Sequence, residues 1–321
     1  MRRIVIVGYD NAVLVEIACT ADAFDIANRL GASPRYELML AAPSARPMRC
    51  SSGLALCAPR ALKSVRGAVD TLVVAGGPGS YQAVTDTAML AQVRRLATNS
   101  TRVASICSGA FVLAAAGLLD GKRATTHWEY AADMAHRYPK VAVDPAPLFI
   151  KDGMVYTAAG VTSAIDLSLA LIEEDHGPTL AREVAKSLVV YRQRPGNQAQ
   201  ISMFLAAPPP EHRVVRDLTG HINGHLDADL GTPALAALAG TSIRHLSRLF
   251  NTHLGTTPSR YVRSTRTEAA AKLLSDTELP LTAVARRCGF ASTETLRQAF
   301  LDHFDTTPSI YRRTQQRYLN S

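Results

Sequence analysis

Residues 242–263 read SIRHLSRLFNTHLGTTPSRYVR, and residues 292–313 read STETLRQAFLDHFDTTPSIYRR. The second stretch repeats the first at an offset of 50 residues, and ten of the 22 aligned positions are identical. Unrelated sequence matches at about one position in such a window, so the period indicates a duplicated structural unit. Two units at a fixed separation suit a ligand that repeats along its axis, such as a nucleic acid double helix.

The first copy predicts an amphipathic helix that Ser242 caps and that runs to about residue 253. One side of this helix is mainly apolar, with Leu246, Leu249, Phe250 and His253. The opposite side is polar, with Arg244, Ser247, Arg248 and Asn251. Arginine binds phosphate and pairs bidentately with guanine, so the polar side is a candidate nucleic acid contact.

The second copy predicts the same layout in a helix that starts at Ser292 or Thr293. Its inward side has Leu296, Ala299, Phe300 and His303. Its outward side has Glu294, Arg297 and Gln298, with Thr293 and Thr295 at the leading edge. Between the copies, a helix from Pro258 to about residue 275 would span about 27 Å. That length suits two reading helices held about one DNA turn, roughly 34 Å, apart.

Residues 216–315 resemble the AraC/XylS-type DNA-binding domain, in which a long helix joins two helix-turn-helix motifs. The matching stretches are LAALAGTSIRHLSRLF, TTPSRYVRSTRTEAAAKLL and AVARRCGFASTETLRQAFLDHFDTTPSIYRR. The resemblance implies that double-stranded DNA is contacted by Arg244, Ser247, Arg248, Thr293, Glu294, Thr295, Arg297 and Gln298. From the residues alone, an alternative is a helical interaction domain whose arginines form a solvated face.

Residues 1–205 alternate strand-like and helical patterns, and a proline-rich segment at 206–215 reads as a linker. The strands are predicted at 4–7, 38–41, 71–74, 103–106 and 155–157. The helices are predicted at 15–30, 89–98, 110–118 and 164–175. Continuous apolar strands between helices indicate a flavodoxin-like α/β domain, with a mostly parallel sheet covered on both faces. The C-terminal domain, by contrast, is predicted to be all-α.

The segment VASICSGA at 103–110 reads as strand, sharp turn and helix, with Cys107 at the turn. A helix N-terminus there would lower the pKa of the thiol and expose it as a nucleophile. A buried structural cysteine in a tight turn is an equally good interpretation of these residues.

The flanks of Cys107 resemble the PfpI-like branch of the class I glutamine amidotransferase-like fold, and most of all the GlxA-type regulators. The matching pieces are ICSGAFVLAAAGLLDGKRATTHW, LVVAGGPGS, AAGVTSAIDLSLALI and RPGNQAQ. The resemblance implies a site of Cys107, His127 and Glu16, with Gly76, Gly77 and the Ser108 amide placed to bind an oxygen. Three uses of this site stay open: effector sensing or dimerisation, cysteine-dependent hydrolysis or hydration, and redox sensing by Cys107.

Composition limits the remaining possibilities. The net charge of +8 fits a polyanionic partner. Five cysteines without CxxC or Cys/His ligand spacing favour a reduced, cytoplasmic protein without a metal site. The GGPG run lacks the dinucleotide fingerprint, so no cofactor is expected. No signal peptide or membrane span is predicted. We expect a nucleoid-associated homodimer, with RNA polymerase as a candidate partner.

Overall fold

The computed structural model describes residues 1–190, 194, 196, 200, 212–304 and 306–313. The chain divides into two compact units, Met1–Gln200 and Ile201–Asn320. The predicted linker at 206–215 lies mostly outside the described residues, and a helix already begins at Arg213. The predicted boundaries at 205 and 216 therefore stay predictions.

The N-terminal unit contains a seven-stranded sheet. Its strands are β1 (Arg2–Val7), β2 (Tyr36–Ala42), β5 (Arg60–Ala61), β6 (Val69–Val74), β7 (Ser100–Ile106), β10 (Phe149–Asp152) and β11 (Val155–Ala158). Their order across the sheet is β10-β11-β7-β6-β1-β2-β5. Every neighbouring pair is parallel except β10 with β11. The predicted mostly parallel sheet is thus confirmed, and the five predicted strands lie at its centre.

Two small ribbons accompany this sheet. They consist of β3 (Pro47–Arg49) with β4 (Ala55–Cys57), and of β8 (Arg123–Ala124) with β9 (Ala142–Val143). The helices are α1 (Leu14–Arg29), α2 (Ser80–Ala83), α3 (Thr87–Thr98), α4 (Gly109–Ala115), α5 (Ala131–Arg137), α6 (Ser163–His176) and α7 (Pro178–Ser187). Helices α1, α6 and α7 pack together, and α2, α3 and α4 form a second group. This grouping is typical of a doubly covered α/β sheet.

A buried ion pair fixes the end of α6 to the sheet. The Arg102 guanidinium donates to both carboxylate oxygens of Asp175, at 3.0 and 2.6 Å. Arg2 lies 3.2 Å from the same carboxylate, and the Tyr36 hydroxyl donates to it at 2.8 Å. The side chains of Arg102 and Asp175 are only 7% and 4% exposed. If one partner were removed, water could not solvate the charge of the other.

The C-terminal unit is helical throughout its described part. Its helices are α8 (Arg213–Gly224), α9 (Thr232–Leu238), α10 (Ile243–Leu254), α11 (Pro258–Asp276), α12 (Leu281–Arg287) and α13 (Thr293–Phe304). The apolar residues form two separate cores, one built from α8 to α10 with the start of α11, and one from the end of α11 with α12 and α13. Each predicted copy therefore has a core of its own, and α11 joins them as predicted.

The middle of α11 connects the two halves through polar contacts. The Arg266 guanidinium donates to the carbonyls of Leu226 and Ala228, at 2.9 and 2.8 Å, in the loop after α8. It also lies beside Gly289, the turn between α12 and α13. This glycine has a φ of +72°, and a Cβ there would collide with the Leu226 carbonyl and the guanidinium. None of the described helices is long and apolar enough to cross a membrane.

Candidate functional site

Two regions contain the residues that the sequence singles out: the turn around Cys107 and the outward faces of α10 and α13. The two regions belong to different units of the chain.

Cys107 lies between β7 and α4 in a strained backbone conformation, with a φ of +53°. Its N–H donates to the Ala158 carbonyl at 2.9 Å, and its carbonyl accepts from the Thr126 hydroxyl at 2.8 Å. Gly76 allows the turn to approach, because a Cβ there would lie 2.7 Å from the Cys107 Cβ. Contacts on both sides therefore hold the cysteine in a conformation that few non-glycine residues adopt.

Of the two interpretations that the sequence leaves open for Cys107, the structure favours the buried cysteine over the exposed nucleophile. Cys107 is 5% exposed, and burial, together with the nearby Glu16 carboxylate, raises the pKa of its thiol to about 12. The Ser108 amide at the start of α4 lowers this pKa, but by less than burial raises it. Burial beside a carboxyl group therefore disfavours ionisation of this thiol.

Glu16 lies beside this thiol and is fully buried. Its Oε2 accepts from the Gly76 N–H at 2.7 Å, and the Val161 amide and the Cys107 thiol also lie close to the carboxyl group. Burial raises the pKa of Glu16 to about 7, although the Gly76 and Val161 amides and the Cys107 thiol partly oppose this rise. Because the two groups are buried together, ionisation of either one opposes ionisation of the other.

The oxygen-binding role expected for Gly76 and Gly77 also needs correction. The Gly76 N–H already donates to Glu16, and the Gly77 N–H donates to the Ser108 hydroxyl at 2.8 Å. The same hydroxyl donates back to the Gly77 carbonyl at 2.9 Å. Neither glycine amide is free to bind a ligand oxygen, because both hold side chains of the site. The Ser108 amide is turned toward the thiol of Cys107.

His127 completes the trio. A Cβ placed on Gly160 would lie 2.6 Å from His127 Cδ2 and 3.6 Å from Cys107 Sγ, so the ring and the thiol flank the same glycine. Burial lowers the pKa of His127, which keeps the imidazole neutral near pH 7. Its Nδ1 accepts from the Glu129 N–H at 3.4 Å. Cys107, Glu16 and His127 are thus brought together in the N-terminal unit.

Aromatic residues near the site were not anticipated. The Tyr130 ring lies 5.5 Å from His127, and Trp128 lies 5.6 Å from it with half of its surface exposed. The Tyr9 hydroxyl donates to the Ala75 carbonyl at 2.7 Å, and burial, followed by the nearby Glu16 and Cys107, raises its pKa. Trp128 directly follows His127 in the sequence, which was a usable signal. No sequence signal marks Tyr9, because only the fold brings the end of β1 close to the Cys107 turn.

In the C-terminal unit, both reading helices begin with a side-chain cap. The Ser242 hydroxyl accepts from the His245 N–H at 3.2 Å, and the Ser292 hydroxyl accepts from the Thr295 N–H at 3.1 Å. These caps fix the start of each helix and therefore the rotation of its faces. The sequence placed Ser242 correctly and left Ser292 and Thr293 as alternatives.

The predicted contact residues lie on the outward faces of these helices. The exposed ones are Arg244, Arg248, Thr293, Glu294, Thr295, Arg297 and Gln298, and Ser247 is half-buried. Arg248 is held by a neighbour on its own helix, since its Nη2 lies 3.0 Å from His245 Nδ1. Arg297 binds the Glu294 carboxylate through Nε and Nη2, with a shortest distance of 2.6 Å.

Two protein-family models match this chain, one in each of the two regions. The model of the DJ-1/PfpI family matches residues 2–174, which is more than half of the chain. The chain belongs to the DJ-1/PfpI family. A helix-turn-helix domain model matches residues 235–314, which contain both reading helices. The combination of domains implied by the sequence resemblance is therefore confirmed.

Full-length relatives share both units. The HTH-type transcriptional regulator GlxA of Rhizobium meliloti is 32% identical over 318 residues, covering 98% of this chain and 96% of the relative. The HTH-type transcriptional regulator CdhR of Pseudomonas aeruginosa is 34% identical over 284 residues, covering 88% and 83%. The prediction of an HTH-type transcriptional regulator is thus confirmed at the level of the family.

Two further similarities cover smaller parts of the chain. The isonitrile hydratase of Pseudomonas putida is 34% identical over 159 residues, covering 50% of this chain and 68% of the relative. The crystal structure of a THiJ/PfpI family protein from Pseudomonas syringae has a TM-score of 0.55 and 23% identity, and covers 74% of this chain and 90% of that chain. This second similarity supports the flavodoxin-like fold.

Proposed function

We propose that this DJ-1/PfpI-family member regulates transcription by inserting α10 and α13 into the major groove of double-stranded DNA. The contact residues are Arg244, Ser247, Arg248, Thr293, Glu294, Thr295, Arg297 and Gln298. One observation carries this proposal: each half of the unit buries its apolar face in its own core and leaves these polar side chains on the outside. Amphipathic helices capped and supported in this way are the reading elements of helix-turn-helix proteins.

DNA binding by the purified full-length chain tests this proposal. The preferred duplex is first selected from a random pool, and Kd is then measured by fluorescence anisotropy on that duplex and on a random one. Arg248→Ala is expected to weaken binding to the selected duplex by about 5- to 100-fold, because a bidentate base contact is lost. An equal loss on random DNA would mean that Arg248 contacts phosphate instead. Arg213→Ala is the control, since this exposed arginine lies on α8, outside both reading helices.

We also propose that the N-terminal unit senses a small effector at the Cys107 site and forms the homodimer. The buried thiol and the engaged Gly76 and Gly77 amides favour sensing over catalysis, because a catalytic nucleophile must be accessible and its oxyanion needs free hydrogen-bond donors. Effector binding would then change how two C-terminal units are presented to paired DNA half-sites. Nucleoid association in the cytoplasm and contact with RNA polymerase belong to the same proposal.

Cys107→Ser tests the sensing proposal without requiring the effector in advance. We expect unchanged Kd for the selected duplex, because Cys107 lies outside the DNA-binding unit. A metabolite panel screened by thermal shift should then stabilise the wild-type protein but not the variant. Weaker DNA binding by the Cys107→Ser protein alone would contradict a role limited to sensing.

A cysteine-dependent hydratase or hydrolase is the second candidate, favoured by the strained Cys107 flanking the same glycine as His127. A relative of this unit is named isonitrile hydratase. If this candidate is right, the purified chain turns over an isonitrile, an amide or a reactive aldehyde, and Cys107→Ser abolishes that turnover. Redox sensing is a third candidate and is less favoured, because oxidation requires an accessible thiolate.

A further inference from the structure

The two reading helices differ in charge although they share one ancestral pattern. Between residues 242 and 254 there are two arginines and no carboxylate, which gives the first helix a formal charge of +2. Between residues 293 and 304 there is one arginine against Glu294 and Asp302, which gives the second helix −1. DNA presents one phosphate charge about every 1.7 Å of its axis, so an acidic helix in its groove is repelled by every sequence.

The arginine of the second helix is tied to an acidic neighbour. Arg297 Nε and Nη2 are bonded to Glu294 at 2.6–3.0 Å, and this pairing lowers the pKa of Glu294, which stays ionised. Arg263, on the connecting helix, is similarly occupied by Asp302 at 2.7 Å. When α13 enters a groove, Glu294 therefore accompanies Arg297, because the two side chains are joined.

The chemistry of the base edges decides where this arrangement is tolerated. Cytosine presents only the N4 amino donor in the major groove and so pairs with a glutamate, whereas the amino donor of adenine lies beside its N7 acceptor, which repels a carboxylate. Guanine presents two acceptors, which suit an arginine. Glu294 and Arg297 are separated by three residues, or about 4.5 Å along the helix. This rise is close to the roughly 3.4 Å between base pairs, so the two side chains reach adjacent steps.

We propose that Glu294 is a specificity-determining residue that rejects every site lacking a cytosine amino group opposite the first turn of α13. The inference rests on the proposed function, namely that α13 enters the major groove. Glu294 acts mainly by penalising wrong sequences, while the basic α10 supplies most of the salt-dependent attraction. Recognition is thereby divided: one half attaches the protein to DNA and the other half selects the sequence.

The test compares Glu294→Gln with Asp302→Asn in the full-length protein. Both variants remove one exposed negative charge from α13, but Asp302 lies eight residues further along, away from the end of the helix that contacts bases. Each protein is used to select duplexes from a random pool, and Kd is measured on the wild-type duplex, on single-base variants of it and on random DNA. Circular dichroism of each variant checks that the helices are intact.

We expect both variants to bind random DNA about 2- to 10-fold more tightly, since each loses a repulsive charge. Only Glu294→Gln should change a base preference: one cytosine should lose its advantage of about 5- to 100-fold, and adenine should gain there, because Gln pairs with adenine. A third protein, Glu294→Ala, should lose the cytosine preference without gaining one for adenine.

Three results separate the possibilities. If Glu294→Gln selects the same sequence as the wild type at every position, the inference is wrong and the proposed DNA-binding function stands. If Asp302→Asn changes the same base preference, the effect is one of general charge, and the inference is again overturned. If the wild-type chain selects no sequence from the pool, the proposed function itself fails.

Discussion

Replacing the buried Glu16 by Gln is expected to stabilise the N-terminal unit at alkaline pH. Folding raises the pKa of this carboxyl from 4.5 to about 7, because its charged form is desolvated. The contribution of Glu16 to the unfolding free energy is therefore complete below about pH 4.5, and it is lost as the pH rises through about 7. Glutamine keeps an oxygen for the Gly76 amide and never ionises.

The size of the effect follows from the shift in pKa. A shift of 2.5 pKa units at about 1.36 kcal/mol each corresponds to roughly 3 kcal/mol when both states are ionised. At pH 8 the Glu16→Gln protein should thus be about 3 kcal/mol more stable than the wild type, and at pH 5 less than 1 kcal/mol more stable. Between these values the wild type alone should lose about 2.5 kcal/mol through this group.

Urea unfolding at several pH values measures this difference. Trp128 is the single tryptophan and lies in the N-terminal unit, so its fluorescence reports on that unit alone. Asp22→Asn serves as the control, because this carboxylate is exposed on the same helix. A stability difference between wild type and Glu16→Gln that stays constant from pH 5 to pH 8 would refute the reasoning.

Three other perturbations test separate features. Gly289→Ala should destabilise the C-terminal unit by about 3 kcal/mol or more in urea unfolding, because the new Cβ collides with its neighbours. Gly240→Ala is the control: this glycine has a similar φ but open space around it, so the cost should be only about 1 kcal/mol. Equal losses would show that crowding at Gly289 does not matter. Asp175→Asn should cost about 3–5 kcal/mol by the same assay, because a buried guanidinium loses its counter-charge, and a loss below 1 kcal/mol would contradict this. Iodoacetamide at pH 7.5, followed by peptide mass spectrometry, should label the exposed Cys57 at least about 100-fold faster than Cys107, and comparable rates would show that the Cys107 thiol is accessible and ionised.

The sequence predicted the framework well, because local patterns determine it. The central strands are continuous apolar runs, and the reading helices have caps, turns and amphipathic faces within 12 residues. The strands that the sequence missed, such as β5 (60–61) and β8 (123–124), have two residues each and show no period. Their pairing depends on neighbours that are distant in sequence.

The chemistry of the Cys107 site was less predictable, because it depends on long-range contacts. The pKa of the thiol is raised by burial and by Glu16, which is 91 residues away in the chain. The hydrogen bond from the Gly76 amide to the same carboxyl group could not be predicted either, because 60 residues separate the two in the sequence. By contrast, the pairing of Glu294 with Arg297 follows from their spacing of three on one helix, and the sequence contained that signal.

The two apolar cores of the C-terminal unit have a consequence for how such a protein changes over generations. A residue exchanged inside one reading head does not disturb the packing of the other, because the cores share no side chains. Under the proposed function, substitutions in one reading helix can therefore change the DNA sequence that this helix prefers, while the other reading helix keeps its own contacts. A duplicated unit of this kind would allow the preferred DNA sequence to change one half at a time.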